Sequence, residues 1–145
     1  MRISKVREVK TPTRGTDKSA GIDFYVPEGR EYIRLSPGES CLIPSGIKAD
    51  VPKGHALIAF NKSGVAVKKG LHVGASVVDE DYQGEIHINL MNVSKEEVVI
   101  SPGEKIIQFL LLPVFYDSIE VVNEESLFES VTERGTGGFG STGVS

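Results

Sequence analysis

A run of three acidic residues, Asp79-Glu80-Asp81, is one feature of this sequence that could carry out chemistry. It lies within 77–84, between two strand-like runs, and therefore predicts a hairpin turn. A carboxylate at the end of a strand can act as a general base. Three acids in a turn are also typical of a solvated surface, so both interpretations stay open at this point.

A second segment, Asn61-Lys62-Ser63-Gly64-Val65-Ala66, combines groups that can bind phosphate. It lies where a strand ends and a short helix begins, and a helix N-terminus offers free N–H groups and positive potential to an anion. Lys62 adds a positive charge, and Ser63 adds a hydroxyl donor. The alternative is an ordinary helix start with Ser63 as the N-cap residue.

The C-terminal segment 134–143 has an unusual composition, since half of its ten residues are glycine. Such a segment cannot build a core, and a disordered terminus is one interpretation. The segment also contains an arginine, a phenylalanine and several hydroxyls. These groups can pair with phosphate, stack on a base and wrap around an anion, so the sequence alone leaves a functional tail equally open.

Other polar residues give weaker signals. Asp23 lies between apolar residues and is either an exposed strand residue or one that faces a metal-bound water, and Gln108 fits an ordinary strand glutamine. The histidines lack metal-ligand spacing with the single cysteine; they are His55, His72 and His87. The sequence contains neither a G-x-S-x-G elbow nor a P-loop motif, so a covalent mechanism has no visible nucleophile.

Short β-strands would have to position these groups. Apolar runs recur about every 8–12 residues between turns, which predicts an all-β sandwich or barrel in one domain. Only 63–69 is expected to be helical. The predicted strands are 32–35, 41–44, 47–51, 55–60, 84–92, 98–100 and 106–112. Four turns place proline early and glycine late, because glycine adopts positive φ at little cost; they end at Gly29, Gly38, Gly54 and Gly103.

Charge and composition argue against several classes of protein. The 145 residues carry a net charge of −4, which does not favour a binder of duplex nucleic acid. Cys41 is the single cysteine, so no disulfide can form within the chain. The basic N-terminus lacks the apolar run of a signal peptide, and no stretch is long enough to span a membrane. We expect a cytoplasmic protein, or one in the host cytoplasm if the chain is viral.

Five segments resemble, in order and with family-like spacing, the five motifs of the trimeric dUTPase family. They are AGIDF at 20–24, NKSGVA at 61–66, VVDEDYQGE at 77–85, GEKIIQF at 103–109 and RGTGGFGSTG at 134–143. The resemblance spans essentially the whole chain and implies an all-β, jelly-roll-like β-barrel with one short helix. The barrel domain would span 1–133, including a crossover from about 118, and a flexible glycine-rich lid would span 134–145.

The resemblance implies an enzyme, dUTP diphosphatase, which hydrolyses dUTP to dUMP and pyrophosphate. Asp79 would activate the water that attacks the α-phosphate, and Asp23 would hold Mg²⁺ through metal-bound waters. The activity would keep uracil out of DNA and supply dUMP for dTMP synthesis. The family also implies a homotrimer whose sites combine motifs one, two and four of one chain with motif three of a second and the tail of a third. Neither nucleic acid nor a membrane is expected as a partner.

The same resemblance implies which residues bind the substrate. The phosphate-binding groups on the barrel would be Lys62, Ser63, Gly64 and Gln108. The hairpin from Val73 to Val78 would read uracil through its backbone, and Tyr82 would lie under the deoxyribose and exclude a ribose 2′-OH. In the tail, Phe139 would stack on uracil, and the lid would be disordered without ligand. The tail groups expected near the phosphates are Arg134, Gly140, Ser141 and Thr142.

The sequence departs from the family pattern at several positions. Asn61 and Lys62 replace the usual Pro-Arg of motif two, and lysine lacks the bidentate fork of arginine. Val73 stands where asparagine is usual near the uracil slot, and Ser76 stands where glycine is usual. These departures allow a shift in phosphate affinity and in nucleotide preference.

The sequence leaves two other functions open. One is a deaminase of dCTP, which needs a carboxylate at the cytosine amino group but has a tail unlike this one. The other is a nucleotide-responsive binding protein that signals through the tail.

Overall fold

The computed structural model describes residues 1–143, which contain short β-strands, turns and a single α-helix, α1 (Ser63–Lys69). The chain divides into two units, Met1–Phe115 and Tyr116–Ser145, and the described strands belong to the first. The strands are β1 (Arg2–Lys5), β2 (Ile22–Tyr25), β3 (Ile33–Leu35), β4 (Ser40–Pro44), β5 (Ile47–Asp50), β6 (His55–Asn61), β7 (Leu71–Val73), β8 (Val77–Val78), β9 (His87–Asn92), β10 (Val98–Ile100) and β11 (Lys105–Pro113). No helix within residues 1–143 has the length and apolar character needed to cross a membrane.

The strands pair antiparallel in four sheets. One sheet has the order β2-β11-β6-β8, a second has the order β4-β9-β7, and two pairs are formed by β1 with β5 and by β10 with β3. Within the described residues these pairings do not join into one closed barrel. The long strand β11 is central, because its pairing places Gln108 opposite Asp23 of β2 on one side and opposite Phe60 of β6 on the other.

The core of the first unit follows from strand alternation. On β9, Ile88 and Leu90 are buried while His87 is exposed, as the alternating sequence predicts for a half-buried strand. The rings of Phe24 and Phe109 lie 4.5 Å apart in a tilted arrangement inside this core. Removing these apolar groups from water is the main force that holds the strands together.

All four predicted proline–glycine turns have the predicted backbone. Their glycines adopt φ of 69°, 82°, 73° and 74°, at Gly29, Gly38, Gly54 and Gly103 respectively. The helix α1 ends in the same way, since Gly70 has φ 67° and its N–H donates to the carbonyl of Ala66. Glycine is therefore required where these elements end.

The helix prediction is confirmed over 63–69. The strand predicted at 98–100 has the predicted bounds, and the others are found with shifted ends; 84–92, for example, begins three residues later, at His87. The strands β1, β2, β7 and β8 were not predicted as such.

The hairpin predicted for 77–84 is wrong, because β8 pairs with β6 whereas β9 pairs with β4 and β7. For the same reason the 73–78 segment connects two sheets and is not a paired hairpin. The interpretation of Ser63 as the N-cap is also wrong, since Lys62 occupies that position without a side-chain capping bond.

The second unit consists of extended chain, one unpredicted 3-10 turn at Glu124–Ser126, and a series of turns up to residue 143. Several of its apolar side chains are almost fully exposed; they are Ile119, Val121, Val131 and Phe139. The unit begins at Tyr116, so the proposed division between barrel and lid at 133/134 stays a prediction. Residues 144 and 145 of the predicted lid lie outside the described residues.

Candidate active site

Asp23 is the centre of a charged cluster on the four-stranded sheet. It lies on β2 and is only 4% exposed. Its Oδ1 accepts a hydrogen bond from Lys62 Nζ at 2.5 Å, and its Oδ2 lies 3.1 Å from Lys105 Nζ. The hydrogen bond with Asp23, and then the attraction of its charge, raise the pKa of the Lys105 ammonium. Two cations therefore neutralise this buried carboxylate.

Gln108 lies beside this cluster, on the neighbouring strand β11. Its Nε2 donates to the carbonyl of Asn61 at 2.8 Å, so the side chain links β11 to the end of β6. Gly21 makes room for it, because an added Cβ at this glycine would lie 2.7 Å from Gln108 Cδ. Ser63 and Gly64 begin α1 next to Lys62, and both are exposed. Motifs one, two and four thus meet on one side of the first unit.

Motif three forms a separate pocket of about 210 Å³. The lining residues are 75–79, Leu42, Tyr82, Ile86, His87 and Phe109. Val78 and Phe109 are buried and supply an apolar wall, whereas Asp79 is exposed and supplies a carboxylate. The arrangement can hold a small group against an apolar wall, beside an acid that is accessible to water.

The turn after Asp79 fixes the position of Tyr82. The Tyr82 N–H donates to the Asp79 carbonyl at 3.2 Å, and the phenol O–H donates to the Glu85 carbonyl at 2.8 Å. Gly84 lies directly against the ring, since an added Cβ would be 2.5 Å from Tyr82 Cζ. The ring position therefore depends on glycine at 84.

The tail, residues 134–143, belongs to the second unit. Arg134 Nε donates to the Gly137 carbonyl at 2.8 Å, which closes a local turn. Phe139 is fully exposed and has φ 50°, an uncommon value for a residue with a Cβ. The Ser141 N–H donates to the Gly138 carbonyl at 3.1 Å, and Gly140 has φ 92°. The segment presents its aromatic ring and its hydroxyls outward.

A divalent cation fits this site only with help from a substrate. Among residues 1–143, no group of three or more His, Cys, Asp or Glu side chains could hold a metal. Mg²⁺ commonly keeps several waters and uses one or two carboxylates together with substrate phosphates. The single buried carboxylate of Asp23 suits such an arrangement, through metal-bound waters and not as one member of a protein cage.

The predicted residues fall into three places, apart from Val73, which ends β7 and is not among the residues that line the pocket. Asp23, Lys62 and Gln108 lie together, with Ser63 and Gly64 next to them. The residues Val78, Asp79 and Tyr82 line the motif-three pocket. The tail residues are in the second unit. Sequence reasoning missed Lys105, which contacts Asp23, and two asparagines that hold 73–75, Asn61 and Asn89.

Comparison with known proteins identifies the family. The sequence profile of the dUTPase family matches residues 7–143. The chain belongs to the dUTPase family. The deoxyuridine 5'-triphosphate nucleotidohydrolase of Chlamydia pneumoniae is 42% identical over 136 residues, which are 92% of this chain and 91% of that protein. The mouse deoxyuridine 5'-triphosphate nucleotidohydrolase is 38% identical over 144 residues, 99% of this chain and 85% of that protein.

The fold is that of solved dUTPases. The Staphylococcus bacteriophage 80alpha dUTPase determined with dUPNHPP has a TM-score of 0.85 and 27% sequence identity, and the likeness covers 99% of this chain and 98% of that one. The predicted family, the enzyme class and the all-β, jelly-roll-like fold are therefore confirmed.

Proposed function

We propose that this dUTPase hydrolyses dUTP to dUMP and pyrophosphate, with Asp79 as the general base for the attacking water. The observation that carries the proposal is the exposed Asp79 carboxylate on the rim of a pocket whose other wall is apolar. A carboxylate within reach of a water can accept its proton while the water attacks phosphorus. The names of the relatives and the use of dUPNHPP with the phage enzyme support dUTP as the substrate.

The Asp23 cluster would bind the triphosphate. Phosphoryl transfer depends mainly on positioning and on neutralising charge. Lys62 supplies a cation, Gln108 an amide donor, and Ser63 and Gly64 supply exposed groups at the start of α1. When bound, Mg²⁺ would neutralise phosphate charge, with Asp23 holding its waters. Lys62 now pairs with Asp23, so binding of a triphosphate would give this ammonium a second anionic partner.

The motif-three pocket would hold the nucleoside. The 73–78 segment would face uracil with its backbone, and a wall close to the ring would reject the methyl group of thymine. Tyr82, which is fixed by its bond to the Glu85 carbonyl, would lie under the deoxyribose and exclude a 2′-hydroxyl. Selectivity would therefore come from shape and from backbone hydrogen bonds.

We further propose a homotrimer with sites shared between subunits. The exposed apolar side chains of the second unit, such as Ile119 and Val121, support a segment that packs on a neighbouring chain. Phe139 would then stack on uracil, and Arg134 would pair with phosphate. Ser141, Thr142 and the backbone at Gly140 would approach the same phosphates. Removal of dUTP by this enzyme would keep uracil out of DNA and supply dUMP for dTMP synthesis.

Pyrophosphate release from dUTP, dTTP, dCTP and UTP in the presence of Mg²⁺ tests the proposal. We expect dUTP to be strongly preferred. The variant Asp79→Asn should lose about 10²–10⁴-fold in kcat, the typical contribution of a general base. Asp81→Asn is the matched control, because this neighbouring exposed acid lies outside the pocket lining. Equal turnover by wild type and Asp79→Asn would show that Asp79 is not the general base. Release of ammonia from dCTP would favour the dCTP deaminase instead.

A further inference from the structure

The connection between β7 and β8 is held by two asparagine side chains from other strands. Asn61 Oδ1, at the end of β6, accepts a hydrogen bond from the Val73 N–H at 2.8 Å. Asn89 Oδ1, on β9, accepts one from the Ala75 N–H at 2.8 Å, and the Asn89 carbonyl accepts the Gly74 N–H at 3.0 Å. Asn61 and Asn89 thus accept hydrogen bonds from three successive backbone N–H groups. We call these two residues the asparagine clamp.

Each asparagine of the clamp is itself held by a hydrogen bond to a neighbouring strand. Asn89 Nδ2 donates to the Cys41 carbonyl at 2.9 Å, on the paired strand β4. The backbone carbonyl of Asn61 accepts the amide of Gln108 at 2.8 Å. Gly74 lies directly on Asn89, because an added Cβ would be 2.9 Å from Asn89 Cγ. The clamp therefore accepts the hydrogen bonds of the 73–75 N–H groups and also fixes the position of this segment.

The clamped residues lead directly into the motif-three pocket. Ala75 and Ser76 line it, and the Ser76 carbonyl accepts the Ala59 N–H at 2.8 Å. A shift of 73–75 would therefore move the pocket wall. Asn61 also stands at the position where motif two usually has proline, and a proline side chain has no oxygen to accept the Val73 N–H.

We propose that Asn61 and Asn89 are positioning residues that set nucleobase discrimination by fixing this wall. The inference rests on the proposed function, in which the pocket holds uracil. A fixed wall can exclude a single methyl group, whereas a loosened wall moves aside for it. Asn61 and Asn89 do not themselves have to touch the nucleotide.

The test is the ratio of kcat/KM for dUTP to kcat/KM for dTTP. Both nucleotides carry the same triphosphate and sugar, so effects on phosphate binding cancel in this ratio. Loss of the hydrogen bond to the 73–75 backbone should lower the ratio about five- to tenfold in Asn61→Ala, and at least as much in Asn89→Ala, which also loses the bond to the Cys41 carbonyl. Asn61→Asp keeps the acceptor for Val73 and should restore the wild-type ratio, even if its added charge weakens the binding of both nucleotides.

Amide hydrogen exchange in the nucleotide-free protein gives a second readout that does not depend on activity. The Val73 amide should exchange at least about tenfold faster in Asn61→Ala, and the Ala75 amide in Asn89→Ala, while the core amides of β9 keep their protection. Faster exchange with an unchanged dUTP/dTTP ratio would overturn the positioning role, as would unchanged exchange. Absence of dUTP hydrolysis by the wild type would instead refute the proposed function itself.

Discussion

Glu85 gives the clearest prediction about stability. Its Oε1 accepts hydrogen bonds from Arg7 Nε at 2.7 Å and from the Gly46 N–H at 2.8 Å, and its Oε2 accepts Arg7 Nη2 at 3.1 Å. The Glu85 side chain is 15% exposed. The hydrogen bond from Arg7, with help from Gly46, outweighs the effect of burial and holds the pKa of the Glu85 carboxyl below its ordinary value of 4.5.

The variant Glu85→Gln keeps the shape but removes the charge. Charge-assisted hydrogen bonds contribute more than neutral ones, but solvent screens the half-exposed Arg7, so we expect a loss of about 1–2 kcal/mol in the free energy of unfolding at pH 7. Because folding lowers this pKa, the stabilisation is complete above pH 4.5 and is lost as the pH falls through the lowered value. The difference between wild type and variant should therefore shrink on acidification.

Urea unfolding at a series of pH values measures this difference. The control is Glu97→Gln, which removes a carboxylate paired with Arg34 at 3.0 Å, where the two side chains are 51% and 66% exposed. Exposed pairs of this kind contribute little, so the control should unfold like the wild type. Equal losses in the two variants, or a Glu85→Gln difference that stays constant down to acid pH, would refute the reasoning.

Three further predictions concern the site. Removing the chain from Arg134 onward should leave a folded protein, by circular dichroism, with little dUTP turnover; full turnover would show that the tail is not a lid. Gly84→Ala should push the Tyr82 ring aside and lower the dUTP/UTP ratio of kcat/KM about tenfold, by weakening a steric exclusion. Gly15→Ala is its control, because there an added Cβ would lie 3.5 Å from its nearest neighbour, and equal ratios in both variants would contradict the role of Gly84. Lys62→Arg should lower the KM for dUTP by restoring a bidentate fork, and a raised KM would contradict this.

Elements with a local signal could be predicted from the sequence. The alternation of β9 and the proline–glycine turns depend on neighbouring residues, and both appear as expected. The strands β2 and β8 have only four and two residues, and their pairing partners are β11 and β6, far along the chain. The pairing of β8 with β6 also explains the wrong hairpin, because adjacent strands in sequence had been expected to pair.

The site residues could be predicted where a recognised motif contains them. Their contacts with residues far away in the sequence could not be predicted. Lys62 and Asp23 were identified from separate motifs, but their ion pair depends on strand pairing. Lys105 contacts Asp23 only because β11 lies beside β2. Asn61 stands out in the sequence only as a departure from motif two, and Asn89 looks like an ordinary strand residue. The positioning role of both depends on where the β7–β8 connection passes. Polar residues whose partners lie on other strands are therefore the ones that need the structure.

Hydrolysis of dUTP in ¹⁸O-labelled water tests the central claim most directly. If a water activated by Asp79 attacks the α-phosphate, one labelled oxygen will be found by mass spectrometry in dUMP, and pyrophosphate will be unlabelled. Label in pyrophosphate would place the attack on the β-phosphate. That result, or the absence of both products, would contradict the proposed mechanism.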